Sequence, residues 1–243
     1  CMQDFKYKDP HREGVFAPTP PFESLRLLIR IEMSQDGLVE IYEVVFVLLD
    51  ATRAHFHSPA TREMYINLPI EDAEEGMCGE VLQSMYGGRD ASANWEEFSG
   101  GVCETCGFNR GGANPCLLYN EEKKVRMYKH GDDFVLGGKR KEVDECCLDM
   151  AKHIKLKNKG RLGWRPELGD VTELGVLNRI LRATVDDNGV PMIEMEADPR
   201  HAEIIIEELN IKADSKVRAT TGEKDKDIPD LEPCDDPKDV SKY

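Results

Sequence analysis

Two adjacent carboxylates, Asp132 and Asp133, interrupt the apolar stretch MYKHGDDFVLGG, residues 127–138, and limit the folds open to this chain. The flanking pattern predicts two short antiparallel strands joined at the Asp-Asp pair. Repulsion and desolvation disfavour two like charges between buried strands unless a cation lies beside them. The alternative is an ordinary polar turn, because Gly and Asp favour turns for local reasons.

A third carboxylate, Asp50, ends a second apolar segment, GLVEIYEVVFVLLD, residues 37–50. This segment is rich in β-branched residues and predicts a strand. If that strand neighbours the hairpin in one sheet, Asp50, Asp132 and Asp133 converge at a strand end. Carboxylate oxygens are the ligands that Mg²⁺ prefers. Two such ions can activate a 3′-hydroxyl and stabilise a leaving pyrophosphate.

The rest of the chain alternates amphipathic and strand-like segments. Apolar spacing predicts helices over residues 22–33, from near Asp90 onward, over 139–154 and over 198–211, the last with Asp198 as N-cap. Short strands are expected within residues 62–69 and 114–120, and Asp187-Asn188-Gly189 predicts a hairpin turn. The order indicates an α+β fold, in which a mainly antiparallel sheet is covered on one face by helices.

The charge balance opposes indiscriminate nucleic-acid binding, because 32 Lys and Arg against 47 Asp and Glu leave a net charge of −15. One segment, predicted to be a helix followed by a loop, is instead basic. It is either a track for phosphate groups or a solvated face, and both interpretations stay open. Its candidate nucleic-acid-binding residues are Lys139, Arg140, Lys155, Lys157, Lys159 and Arg161.

The eight cysteines are irregularly spaced, which favours free thiols in a reducing compartment. Cys103 and Cys106 form a lone CETC, and since zinc needs four ligands we expect no zinc site. The longest apolar run, VVFVLL, is too short to span a bilayer, so we expect no membrane association. The chain begins on Cys1 without an apolar signal segment, and we interpret it as a fragment.

Four stretches of the sequence carry a resemblance through their order and spacing. They are DATRAHFHSPATREMYINLP, SMYGGRDASANWEEF, GFNRGGANPCLLY and YKHGDDFVLGG. Together they resemble the reverse transcriptase of copia-type LTR retrotransposons, a part of the Pol polyprotein, over residues 14–212. The resemblance implies a right-hand polymerase palm with partial fingers and the start of a thumb, within residues 1–213. Residues 214–243 are then a charged tail, disordered or a truncated connection.

The resemblance also implies roles for single residues. Asp50, Asp132 and Asp133 match the catalytic carboxylates that hold two Mg²⁺ (or Mn²⁺) ions, and Ala51 offers a backbone carbonyl to the second ion. The implied activity is RNA-directed DNA polymerase, with an RNA or DNA template-primer and a dNTP as partners. Its location is intracellular, in the cytoplasm, a virus-like particle or the nucleus. The implied nucleotide-binding residues are Thr52, Arg53, Ala54, His55, Arg89 and Asp90.

Four residues depart from the family pattern. His55 stands where an aromatic residue usually screens out ribonucleotides, and Asp90 replaces a nucleotide-contacting Gln. We expect Asp90 to cap its helix or to pair with Arg89. His130-Gly131 replaces Tyr-Val before the carboxylate pair. These departures leave a second interpretation open, a catalytically inactive remnant that at most binds nucleic acid or another protein.

Overall fold

The computed structural model describes residues 17–34, 38–197 and 199–212. The chain divides into two compact units, Cys1–Ala197 and Asp198–Tyr243. The helices of the first unit are α1 (Phe22–Met33), α2 (Leu38–Tyr42), α3 (Ala91–Thr105) and α4 (Arg140–Ala151). Helix α5 (Pro199–Glu208) belongs to the second unit. None of the described helices is long and apolar enough to cross a membrane.

The strands of the first unit form three antiparallel sheets. The largest has the order β4-β5-β6-β7-β1-β8, a second has the order β11-β10-β9, and β2 pairs with β3. The strands are β1 (Val44–Ala51), β2 (Tyr65–Ile66), β3 (Gly79–Glu80), β4 (Asn109–Arg110), β5 (Leu117–Asn120), β6 (Val125–His130), β7 (Asp133–Lys139), β8 (Leu156–Leu162), β9 (Glu173–Val176), β10 (Arg179–Val185) and β11 (Pro191–Ala197). Short 3-10 helices lie at Ala54–His57 and Pro166–Leu168.

Strand β1 lies inside the largest sheet and is buried on both faces, which explains its unbroken apolar sequence. Val47 and Leu49 pack into a core with residues of α3 and α4. Phe46 and Leu48 point the other way, into a core with α1 and the three-stranded sheet. The α+β prediction is confirmed. The prediction that helices cover one face is wrong, because α1 packs on the second face beside the three-stranded sheet.

The connectivity through this sheet is β1-α3-β4-β5-β6-β7-α4-β8, with β7 placed between β6 and β1. Trp95 and Cys103 of α3 share a core with Val143 and Met150 of α4, so the two helices pack on the same face of the sheet. The β6-β7 hairpin therefore lies beside β1, although α3 and four short strands separate the two along the chain.

Two predicted segments differ from the structure. The strand predicted over residues 37–50 begins only at Val44, because Leu38–Tyr42 forms the short helix α2, whose Ile41 is buried. The predicted basic loop after α4 contains β8, which pairs with the open edge of β1. Backbone pairing with β1 outweighs the low strand propensity of the lysines in β8.

The helices α1, α3, α4 and α5 and the 187–189 turn are confirmed. In that turn the Asp186 carboxylate accepts backbone N–H groups from Asn188 at 2.9 Å and Val190 at 2.8 Å. The proposed cap Asp198 and the tail 214–243 lie outside the described residues.

Gly137 in β7 marks a close approach between the sheet and α1. A Cβ at this position would lie 2.9 Å from Leu28 Cδ2 and 3.1 Å from Glu32 Cγ. We expect Gly137→Ala to lower the free energy of unfolding by about 1–3 kcal/mol through overpacking, measured by urea denaturation. Gly175→Ala, in β9 with open space around its Cβ, is the matched control and should lose nothing. Equal unfolding midpoints for the two variants would contradict this packing account.

Candidate functional site

The three carboxylates come together at one end of the largest sheet. Asp50 of β1 lies directly opposite Asp133 of β7 in the register, so their side chains share a face. The backbone N–H of Ala51 donates to the Asp132 carbonyl at 2.8 Å, which ties the hairpin turn to the end of β1. Residues distant in sequence thus form one acidic cluster, defined here as Asp50, Asp132 and Asp133.

The turn that carries this cluster has a simple backbone explanation. His130 pairs with Asp133 across the hairpin, which leaves Gly131 and Asp132 as a two-residue connection. Gly131 has φ +62°, and a glycine at the first central position suits such a tight hairpin. Turn chemistry therefore accounts for Gly131-Asp132. It does not account for Asp133, whose half-buried side chain faces another carboxylate.

The acidic cluster carries an electrostatic cost at Asp133. Burial raises the pKa of this carboxyl, and the nearby charges of Asp132 and Asp50 raise it further. Lys159 and His130 oppose the shift without reversing it. A carboxyl with a raised pKa destabilises the folded state when it ionises, so the cluster favours an added cation.

A lysine ammonium partly neutralises the cluster. Lys159 Nζ lies 3.1 Å from Asp50 Oδ1, and both side chains are partly exposed. Lys159 belongs to β8, which pairs with β1 on the side away from β7. The carboxylates therefore have a cation of the protein's own beside them, and their oxygens are donors of the type that Mg²⁺ and Mn²⁺ accept.

Helix α3 holds the carboxylate turn through Trp95. The buried indole Nε1–H of Trp95 donates to the Gly131 carbonyl at 2.9 Å. This hydrogen bond fixes the turn that presents Asp132.

A buried ion pair lies next to this contact, and sequence reasoning missed it. Lys129 is 1% exposed, and its Nζ lies 2.8 Å from Glu96 Oε1 and 2.9 Å from Ser99 Oγ. A signal was available, because a lysine inside the apolar stretch MYKHGDDFVLGG needs an acidic partner when buried. The partner could not be chosen from sequence, since it lies on α3.

A cavity of about 340 Å³ opens beside the turn. The rings of His55 and Tyr86, with centroids 4.5 Å apart, border it. Burial lowers the pKa of His55, although Asp132 opposes this shift, and its buried Nδ1 has no hydrogen-bond partner in the described part of the chain. The residues that line it include Ala54, His55, Tyr86, Ser92, Glu96 and Asp132.

The six predicted nucleotide-binding residues are not all at this cavity. Ala54 and His55 line it. The Thr52 carbonyl lies 3.2 Å from His57 Nε2, and Arg53 is exposed with φ +56°. These side chains follow directly from the end of β1.

Arg89 and Asp90 precede α3. Asp90 occupies the N-cap position without a capping hydrogen bond from its side chain. Its carboxylate lies 3.4 Å from Arg62 and contacts Asn94 at 3.5 Å. Asp90 thus joins α3 to the segment before β2, and its ion pair with Arg62 was not anticipated.

The predicted basic region divides into two sets. Arg140 and Arg161 both bind the buried carboxylate of Asp170, at 2.5 Å and 2.9 Å, and Lys139 pairs with Glu40. Burial raises the pKa of Asp170, but hydrogen bonds, chiefly from Arg140 and the Arg165 backbone, outweigh it and leave the pKa lowered. The second set is exposed and lies on or next to β8: Lys155, Lys157 and Lys159.

No protein-family model matches the chain, and no curated protein or solved structure is significantly similar to it. Within residues 17–34, 38–197 and 199–212, no group of three or more His, Cys, Asp or Glu side chains is arranged to hold a metal ion. The acidic cluster therefore offers donors of suitable chemistry, with Lys159 as a stand-in cation, rather than a preformed cage.

Trp95→Phe tests the contact between α3 and the turn. Loss of the indole N–H leaves the Gly131 carbonyl without its donor, and we expect unfolding free energy to fall by about 1–3 kcal/mol. Trp164→Phe is the matched control, because its Nε1 donates to the Thr184 carbonyl at 2.8 Å, on β10. Both variants should lose stability in urea, but only Trp95→Phe should weaken Mn²⁺ binding. Equal Mn²⁺ affinity in the two variants would contradict a positioning role for Trp95.

The raised pKa of Asp133 predicts a pH-dependent stability. The pKa of Asp133 in the folded state lies above its unfolded value of about 3.9. Its ionisation therefore lowers the free energy of unfolding as the pH rises from the unfolded pKa through the folded pKa. Asp133→Asn should therefore raise Tm at pH 7 by about 1–3 °C. The gain should shrink toward pH 4.

Thermal denaturation of Asp133→Asn and of the control Asp187→Asn, an exposed hairpin residue, measures this effect. The control should change Tm little at either pH. A lower Tm for Asp133→Asn at pH 7 would show that the ionised carboxylate stabilises the fold, against this account.

Proposed function

We propose that this chain is the palm-containing part of a retrotransposon reverse transcriptase, an RNA-directed DNA polymerase. One observation carries the proposal. Asp50 and Asp133, which match the family's catalytic carboxylates, lie opposite each other in neighbouring strands, with Asp132 in the adjoining turn. The resemblance requires this convergence, and nothing in composition alone would produce it.

The connectivity of the sheet supports the palm assignment. The first carboxylate lies at the end of β1, and the other two lie at a hairpin whose second strand pairs with β1. Two helices, α3 and α4, pack behind this arrangement on one face. The carboxylates lie on the opposite face. Successive side chains of a strand point to opposite faces, so Asp50 lies on the same face of β1 as Phe46 and Leu48 and not on the face of Val47.

The chemistry assigns a role to each part of the site. Asp50 and Asp132 would hold two Mg²⁺ or Mn²⁺ ions, Asp133 would support them, and the Ala51 carbonyl would contribute to the second. When bound, two such ions would supply Lewis-acid activation of a primer 3′-hydroxyl and charge neutralisation for a pyrophosphate leaving group. The Trp95 hydrogen bond keeps Asp132 in place.

The cavity beside Asp132 is the proposed place of the incoming nucleotide. Its volume of about 340 Å³ falls within the usual range of ligand pockets. His55 and Tyr86 present flat rings to it. Burial lowers the pKa of His55 and so favours a neutral ring, which suits stacking.

The template-primer would contact the exposed lysines Lys155 and Lys157 of the β8 segment, and Lys159 when its ammonium leaves Asp50. Lys139, Arg140 and Arg161 have internal acidic partners and would contribute less. With a net charge of −15, binding should depend on this local patch and weaken steeply with salt. An intracellular location in the cytoplasm, a virus-like particle or the nucleus follows from the proposed activity.

The second candidate is a catalytically inactive remnant that at most binds nucleic acid or another protein. A specific observation favours it. Lys159 already neutralises Asp50, and Asp90 brings a carboxylate where the family has a Gln. An enzyme must displace the Lys159 ammonium before a metal ion reaches Asp50, whereas a remnant has no such requirement.

Primer extension distinguishes the two candidates. The purified chain is mixed with oligo(dT)-primed poly(rA), dTTP, and Mg²⁺ or Mn²⁺. We expect extension that falls by at least about a hundredfold in an Asp132→Asn/Asp133→Asn variant, because charge stabilisation of the transition state is lost.

Asp186→Asn/Asp187→Asn is the control, since it also removes two neighbouring carboxylates but at the distant β10-β11 turn. It should extend the primer like the unaltered chain. Absence of extension by a well-folded unaltered chain would favour the inactive remnant.

A further inference from the structure

We infer that Lys159 is a built-in competitor of divalent cations at Asp50, so that a metal ion enters the acidic cluster only as the Lys159 ammonium leaves. The inference rests on the proposed function, because it concerns the regulation of the same carboxylate site. It adds a residue outside the carboxylate set that determines how much divalent cation the site requires.

The position of Lys159 results from an irregularity in β8. In the register of β8 with β1, Leu49 pairs with Asn158 and Leu48 pairs with Gly160, so Lys159 is passed over. Lys159 is thus the extra residue of a β-bulge. Bulges redirect a side chain away from its regular alternation, and they are common beside active sites.

Neighbouring contacts hold this bulge in place. The Asn158 side-chain oxygen accepts the backbone N–H of Gly160 at 2.9 Å. A Cβ on Gly160 would lie 2.8 Å from Leu174 Cδ1, so the backbone there packs closely against β9. Constrained residues on both sides therefore fix the main chain at Lys159, and its ammonium reaches Asp50 Oδ1 at 3.1 Å.

Lys157 shows that the pairing is selective. It lies directly opposite Asp50 in the register, yet no ion pair joins it to a carboxylate in the described part of the chain. Lys159, two residues further along β8, makes the ion pair instead. Lys157 and Lys159 are both exposed lysines of β8, and they differ in that only Lys159 makes the ion pair with Asp50.

Competition follows from elementary electrostatics. The Lys159 ammonium binds a carboxylate oxygen of Asp50, and a divalent cation at that oxygen would be repelled by it at close range. The side chains of Lys159 and Asp50 are 38% and 26% exposed, so breaking their ion pair costs little and the ammonium can move into solvent. Lys159 therefore weakens cation binding and does not abolish it.

The test is Mn²⁺ binding to the full chain, followed by the electron paramagnetic resonance signal of free Mn²⁺, with no nucleotide or primer. Lys159→Met should bind Mn²⁺ about tenfold more tightly than the unaltered chain, which corresponds to ~1.4 kcal/mol. Lys157→Met, the matched control, should change the affinity by less than about threefold, because it removes the same charge without an ion pair. Lys159→Arg keeps the charge and should bind like the unaltered chain.

Asp50→Asn separates failure of this inference from failure of the proposed function. Mn²⁺ binding that depends on Asp50 but is equal in Lys159→Met and the unaltered chain overturns the competition and leaves the metal site standing. Equal gains in Lys159→Met and Lys157→Met overturn it too, since the effect is then one of net charge. Absence of Asp50-dependent binding in every folded variant overturns both the metal site and the inference.

Discussion

The backbone pairing of β1 with β7 sets Asp50 against Asp133, and most other features of the site follow from this register. A shift of one residue would turn Asp50 toward the α3 and α4 face and expose the apolar residues that now fill the two cores. The register is therefore held by hydrophobic burial on both faces of β1, from Val45 and Val47 on one side to Phe46 and Leu48 on the other. The same burial that stabilises the fold also places the carboxylates together.

The acidic cluster opposes that stability, and nearby residues compensate for it. Burial and like charges raise the pKa of Asp133, while Lys159 and His130 oppose the shift. Trp95 restrains the turn through the Gly131 carbonyl. Electrostatic repulsion at one point of the fold, offset by contacts around it, is typical of functional sites. There a locally unfavourable arrangement persists because the surrounding structure fixes it. A turn with only a structural role would not need Asp133 to face the carboxylate of Asp50.

Sequence patterns predicted what depends on local chemistry. The helix over residues 22–33, the hairpin at Gly131-Asp132 and the turn at Asn188-Gly189 all follow from apolar spacing and turn preferences. Convergence of Asp50 with the hairpin needed the family resemblance, because strand adjacency is not encoded in any single segment. Helix α2 was missed because its five residues continue directly into an apolar strand.

Features created by tertiary packing could not be predicted. Strand β8 carries Lys157 and Lys159, and only its pairing with β1 makes it a strand. The three-stranded sheet covers the second face of β1, a role that no periodicity reveals. The ion pairs of Lys129 with Glu96 and of Lys159 with Asp50 join elements that are far apart in sequence. The bulge that directs Lys159 is likewise a property of the register between two strands.

The most direct test of the proposed metal site is a crystal structure of the full chain with Mn²⁺, recorded at a wavelength where manganese scatters anomalously. We expect an anomalous peak between the Asp50 and Asp132 carboxylates, within about 2.0–2.3 Å of their oxygens, with the Lys159 ammonium withdrawn from Asp50. A well-ordered hairpin without such a peak, and with Lys159 still bound to Asp50, would contradict the account and identify the carboxylate pair as an inherited turn.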